Sequence, residues 1–140
     1  MGEIHMKSDE RFESIAHAKT RLRYHIIFST KYRKDCLIPI KEDVLASFKY
    51  AEEKSDFKIL IMNLEGDHIH FLLKFKPALS ITQVVSRMKQ LSNWYLWQHQ
   101  EHYLRKHFWK KNKIWTGGYF ASTIGEVSEK NILEYIKNQG

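Results

Sequence analysis

The sequence predicts an α+β fold built on one antiparallel sheet, and three observations carry that prediction. Runs with the composition or two-residue alternation of strands occur four times, and two segments with the helical repeat lie between them. The second and third strand-like runs are separated by little more than the dipeptide "GD", a connection short enough to force antiparallel pairing. There is no internal repeat or low-complexity tract, and the only prolines, Pro39 and Pro77, fall at element starts. One domain therefore accounts for the chain, and 140 residues bury a core without disulfides or structural metal.

Residues 1–20 read as a charged arm, and residues 21–140 as the folded domain. The opening "MGEIHM" resembles a cloning junction, so His5 carries no functional weight. "RLRYHIIFST" has the β-branched and aromatic content of a first strand. From Ile40, the apolar residues Val44, Leu45, Phe48 and Ala51 fall on one helical face. "FKILIMNLE" and "HIHFLLKFK" are the two arms of the hairpin. Pro77 and Ser80 open a long helix to about Gln98, with Ile81, Val84, Val85, Met88, Leu91 and Tyr95 as its apolar stripe. The basic, aromatic stretch 100–113 has poor periodicity and reads as irregular or partly helical. "YFASTI", after Gly117 and Gly118, is a last strand, and Ser128 caps a closing helix through Asn138. The order is βαββαβ with an extra C-terminal helix, which is the ferredoxin-like or RRM-like arrangement with helices on one face of the sheet.

Cys36 is the single cysteine, which excludes an intramolecular disulfide and a CxxC site and suits a reducing interior. No apolar run approaches the roughly 20 residues that span a bilayer. The expectation is a cytoplasmic protein with no membrane partner. Lysine and arginine outnumber acids 23 to 16, for a net charge of +7, which favours a polyanionic partner. The cations cluster around Arg21, Arg23, Lys31, Arg33 and Lys34, and again around Arg105, Lys106, Lys110, Lys111 and Lys113. Tyr24, Tyr32, Tyr103, Phe108, Trp109 and Trp115 lie among them, a mixture that suits single-stranded nucleic acid but also fits a core edged by a solvated basic face.

The chemistry centres on "EGDHIHFLLKF". Alternation puts His68, His70, Leu72 and Lys74 on one face of the strand and Ile69, Phe71, Leu73 and Phe75 on the other. The apolar set must face the helices, so both imidazoles are expected on the open face, where they can reach one divalent ion together. Two imidazoles leave a site incomplete. In "SEKNILEYIKNQG", Tyr135 and Gln139 stand four residues apart on one helical face, while Ile132 and Ile136 can hold that helix to the sheet. Asp67 and Glu65 are possible partners of the histidines, although "GD" is also ordinary turn chemistry, and for Asp67 the turn is favoured.

"HIH" followed by an apolar strand, then "WTGGYFASTIG" and "YIKNQ", resembles the single-tyrosine HUH transposases of the insertion-sequence 200/605 type. The resemblance runs from "YHIIFSTKYRK" to the end of the chain. His68, Ile69 and His70 satisfy the His-hydrophobic-His pattern, and Tyr135 and Gln139 satisfy the family's YxxxQ. It implies an enzyme that cleaves and rejoins single-stranded DNA at hairpin-bearing ends, with Tyr135 as nucleophile forming a 5′-phosphotyrosine link. It implies that His68, His70 and Gln139 hold Mg²⁺ or Mn²⁺. It also implies a homodimer in which the tyrosine helix of one subunit serves the histidines of the other; Gly125, between the last strand and that helix, is either a pivot for such placement or an ordinary loop glycine. The rival expectation is a non-catalytic or domesticated RRM-like protein that binds hairpins or single strands, but the sheet lacks an RNP1-type aromatic run.

Overall fold

The computed structural model describes residues 22–109 and 113–124, together with Glu134. In chain order its elements are β1 (Arg23–Ser29), α1 (Lys41–Glu53), β2 (Phe57–Leu64), β3 (His68–Phe75), α2 (Ile81–His99), a short α3 (Glu101–Leu104) and β4 (Phe120–Ile124). Two 3₁₀ turns, Lys31–Arg33 and Ile38–Ile40, connect β1 to α1, and Pro39 sits in the second. The predicted arm and almost all of the closing helix lie outside the described residues, where Glu134 alone of that helix is described and is helical.

The four strands form one antiparallel sheet in the order β2-β3-β1-β4. This is the ferredoxin-like order, in which the two strands that precede helices, β1 and β3, pair at the centre and β2 and β4 form the edges. Alternation sorts the residues as the sequence requires. Ile26 and Phe28 of β1 and Ile69, Phe71, Leu73 and Phe75 of β3 join Val44, Phe48 and Ala51 of α1 and Val84, Val85 and Met88 of α2 in one core. Its centre is aromatic, with Phe48 4.6 Å from Phe71 and 5.6 Å from Trp115 between ring centroids, and Phe28 5.1 Å from Phe71. In β2 a bulge between Ile59 and Ile61 resets the alternation. Ile59 packs on this core, whereas Ile61 turns to the opposite face and covers Leu72 with Ile124.

Ser80 caps α2 through a reciprocal pair: its hydroxyl accepts from the Gln83 N–H at 3.0 Å, and the Gln83 side chain accepts from the Ser80 N–H at 2.9 Å. The predicted stripe holds in the first turns of α2 and then drifts. Leu96 and Trp97 are the buried residues of its last turns, while Tyr95, half-buried, stacks on His99 at 3.9 Å. Over 19 residues a 3.6-residue repeat shifts around the helix, so the buried set moves by one position. Stretch 100–113 begins with the single turn of α3, consistent with its partly helical character. Among the described residues no helix is long and apolar enough to cross a membrane.

Candidate active site

Three residues, Glu65 to Asp67, join β2 to β3 and set the histidine strand against the loop that follows β1. The Glu65 N–H donates to the His68 carbonyl at 2.8 Å and closes the hairpin. The Gly66 carbonyl accepts from the Cys36 and Leu37 N–H groups at 3.0 and 2.9 Å, and the Asp67 carbonyl accepts from the Thr30 N–H at 2.9 Å. A Cβ on Gly66 would meet the exposed Asp35 carboxylate, which would have to swing aside to admit it. The turn is therefore pinned to the chain 30 residues earlier and fixes where β3 begins.

His68 and His70 share the sheet face opposite the helices, with ring centroids 5.1 Å apart. That face is less open than alternation alone suggests. The His68 side chain keeps 18% of its surface, but His70 is fully buried, and so are Leu72 beside it and His25 on the neighbouring strand. Register explains the contact between strands. His25 pairs with Leu72 and Ile27 with His70, so His25 lies diagonally across from His70. The His25 Nε2 is 3.0 Å from the His70 Nδ1, and the two rings lie nearly parallel.

Both imidazoles are thus held through Nδ1. The His68 Nδ1 is 2.7 Å from Asp67 Oδ1, and the other carboxylate oxygen of Asp67 accepts from Arg33 Nε at 2.9 Å. The hydrogen bond to His68 is the first cause, ahead of Arg33, that keeps the Asp67 carboxyl below its usual range. Burial, then repulsion from His68, lowers the His70 pKa, while the exposed Glu65 acts weakly in the opposite direction. Burial and then His70 push His25 down to about 4, so that ring is neutral at pH 7. In a neutral pair one nitrogen donates and the other accepts. When His70 donates through Nδ1, its Nε2 keeps a free lone pair, and the His68–Asp67 contact does the same for His68.

The donor set fits a divalent ion. His70 Nε2 is buried and has no hydrogen-bond partner, a state that is costly unless something accepts its lone pair. The His68 Nε2 stands at the more exposed end of the same pair. Among the described residues, no three His, Cys, Asp or Glu side chains gather into a metal cluster. Tyr135, Gln139 and Gly125 lie outside the described residues, as do Arg21, Lys110 and Lys111.

The basic candidates divide into two groups. Arg105 pairs with Glu101 at 3.5 Å one turn earlier in the chain, Lys106 is exposed on the next turn, and the Arg23 guanidinium donates to the Leu22 carbonyl at 3.2 Å. Lys31, Arg33, Lys34 and Lys113, by contrast, are drawn to one edge. The Lys31 N–H donates to the Ile114 carbonyl at 2.7 Å, the Thr116 N–H to the Ser29 carbonyl at 2.9 Å, and Thr30 bridges to Trp115. Arg33 also lines a hollow of about 400 Å³ with Ile27, Ser29, Tyr119 and Phe120, on the same sheet face as the histidines. His25 and the Arg33–Asp67 link escaped the sequence reading. Their one sequence signal was the position of His25 on the predicted first strand, facing the same way as Ile27 and Ser29.

Comparison with known proteins identifies the family. Residues 18–139 match the family described as "Transposase IS200 like". The chain is 31% identical over 129 residues to the transposase for insertion sequence element IS200 of Salmonella typhimurium, covering 91% of this chain and 82% of that protein. It is 27% identical over 120 residues to the ISDra2 transposase TnpA of Deinococcus radiodurans, covering 85% and 84%. A crystal structure from Deinococcus radiodurans R1, described as a candidate transposase, aligns with a TM-score of 0.64 at 24% identity over 84% of this chain and 89% of that one. A REP-associated tyrosine transposase solved with a REP hairpin aligns with a TM-score of 0.56 at 13% identity over 84% of this chain and 63% of that one. The paired histidines on a ferredoxin-like sheet therefore sit in a chain that belongs to the IS200-like transposase family.

Proposed function

We propose that the protein cleaves and rejoins single-stranded DNA at hairpin-bearing ends of a small insertion sequence, through a covalent 5′-phosphotyrosine on Tyr135. The observation that carries this reading is the histidine pair. Each ring is tied at Nδ1, and the buried Nε2 of His70 lacks a hydrogen-bond partner. Such a pair, with Gln139 as third ligand, would hold Mg²⁺ or Mn²⁺. The bound ion would polarise the scissile phosphate and offset its developing charge. Two imidazoles and an amide are neutral, so they leave the ion's charge undiminished for the substrate.

In the cleavage step the Tyr135 hydroxyl oxygen bonds to phosphorus and loses its proton to solvent, while the bond from phosphorus to the 3′ oxygen breaks and that oxygen takes up a proton. One phosphate ester replaces another, so attack by a 3′-OH can reverse the step at a new end without an external energy source. A tyrosine hydroxyl with pKa near 10 needs such electrostatic help to react at neutral pH. Arg33, held against Asp67 with its side chain 63% exposed, is placed to meet a backbone phosphate near the histidines. The family relationship and the hairpin seen with the REP-associated relative support this substrate class.

We further propose a homodimer with active sites completed across subunits. A mixture of Tyr135→Phe protein with protein carrying both His68→Ala and His70→Ala tests it. Recovery of cleavage on mixing supports shared sites, and inactivity of the mixture beside active parent protein refutes them. For the reaction itself, the parent chain with Mn²⁺ and a single-stranded hairpin substrate should yield a denaturation-resistant protein–DNA adduct. His68→Ala and His70→Ala should each abolish it. Hairpin binding without any adduct in the parent would instead favour a non-catalytic hairpin-binding protein.

A further inference from the structure

We propose that Tyr32 and Trp109 form a stacking clamp for one or two unpaired bases of the DNA strand held at the histidine site. The inference rests on the single-stranded substrate proposed above and adds where, and by which side chains, its bases are held. Six aromatic residues are interleaved with the two basic segments, and the fold uses four of them internally. Phe108 and Trp115 are buried, Tyr24 stacks on Phe75 at 4.2 Å, and the Tyr103 hydroxyl donates to the Cys36 carbonyl at 2.6 Å. Tyr32 and Trp109 are left 73% and 97% exposed.

These two rings come from segments far apart in sequence yet border the same space. Together they line one hollow of about 320 Å³ with Lys34 and His107, and a smaller one of about 100 Å³ with Lys31, Phe108 and Lys113. None of the described residues lining either hollow is acidic. Flat apolar faces among cations are what an unpaired base attached to phosphates recognises: the ring stacks, the phosphates meet lysines, and any base sequence is accepted. A protein partner with an apolar surface would gain nothing from three lysines at the rim, so charge favours the polyanion.

The Tyr32 side of the clamp is held in a defined turn. Tyr32 and Arg33 adopt left-handed backbone angles, with φ of 63° and 52°, a conformation disfavoured for residues other than glycine. The loop is held there by Thr30. Its hydroxyl donates to the Lys34 carbonyl at 2.9 Å, and its carbonyl accepts from the Arg33 N–H at 3.0 Å. The turn sends neighbouring side chains to different places. Arg33 binds Asp67, which binds His68, and it borders the hollow on the histidine face, while Tyr32 borders the hollows shared with Trp109. A strand crossing this loop passes from the histidines to the two rings.

The test uses the full chain without divalent metal and a fluorescein-labelled oligothymidylate of 12 nucleotides, read by anisotropy. Tyr32→Ala and Trp109→Ala should each weaken binding about 5- to 150-fold, the range for loss of one stacked base. Tyr32→Phe and Trp109→Phe should restore most of it. The salt dependence should keep its slope because no charge is removed. Oligonucleotides with one abasic position moved along the strand should lose affinity for the parent at one or two positions, and Trp109→Ala should be insensitive there. Both rings are exposed, so thermal unfolding should not change. Alanine variants within two-fold of the parent overturn the clamp, as does failure of the parent to bind the oligonucleotide. Neither result depends on adduct formation at Tyr135, so loss of the clamp and loss of the proposed chemistry are separately visible.

Discussion

Replacing His25 with leucine removes the imidazole bonded to His70 while keeping a side chain in its place. The 3.0 Å contact between His25 Nε2 and His70 Nδ1 lies where both residues have no exposed surface. In the leucine variant the His70 Nδ1 faces an apolar group, a buried polar nitrogen without a partner that costs about 1–3 kcal/mol of folding free energy. The effect on metal is separate. Loss of a hydrogen bond behind a ligating histidine commonly lowers affinity about 10- to 100-fold, since the ring turns and the proton shifts to the nitrogen that should bind. Mn²⁺ titrations followed by the free-ion electron paramagnetic resonance signal should therefore show His25→Leu binding at least about 10-fold more weakly than the parent. His25→Gln, whose amide oxygen can accept from Nδ1, should recover part of this. In the metal-free parent, ¹⁵N shifts of His70 should place its proton on Nδ1, and in His25→Leu on Nε2. Unchanged Mn²⁺ affinity in the leucine variant, with His70 protonated on Nε2 in the parent, would refute the assigned role of His25.

Other consequences follow from the same geometry. Asp67→Ala frees His68 and Arg33 together, and should reduce Mn²⁺ affinity about 10-fold or more with little loss of stability, because the carboxylate is partly exposed; unaltered binding would remove Asp67 from the site. Phe48→Ala opens the aromatic centre between Phe71 and Trp115 and should cost about 3–5 kcal/mol in urea unfolding; a loss below about 1 kcal/mol would contradict the described core. Cys36 is 1% exposed, and burial followed by the neighbouring Asp35 pushes its thiol up to about 11. It should resist Ellman's reagent at pH 8 and react only after denaturation, and rapid labelling of the native protein would place it wrongly.

Elements that depend on local pattern were legible in the sequence. The alternation of β3 separated His68 and His70 from Ile69, Phe71, Leu73 and Phe75, and Ser80 marked the start of α2, where the structure finds it capping the helix through a local pair with Gln83. What depended on pairing between distant strands was not legible. Nothing along the chain tells that His25 lies diagonally across from His70, since that follows from the β1–β3 register. For the same reason the sequence left His70 on an open face, whereas the structure buries it. Asp67 looked like a turn residue because its partner Arg33 comes from a loop 34 positions earlier, and it proves to be both turn and tether. The interleaved aromatics could not be sorted by composition, because a ring in a basic segment looks the same whether it faces the core, as Phe108 does, or solvent, as Trp109 does.

The central claim is a covalent bond between Tyr135 and the DNA, and peptide mapping of the adduct tests it most directly. After incubation with Mn²⁺ and a single-stranded hairpin substrate, nuclease trimming and proteolysis, mass spectrometry should find a nucleotide joined through its 5′-phosphate to the peptide containing Tyr135. The Tyr135→Phe protein should bind the hairpin and yield no modified peptide. A nucleotide on any other residue, or an adduct that persists in Tyr135→Phe, would contradict the account.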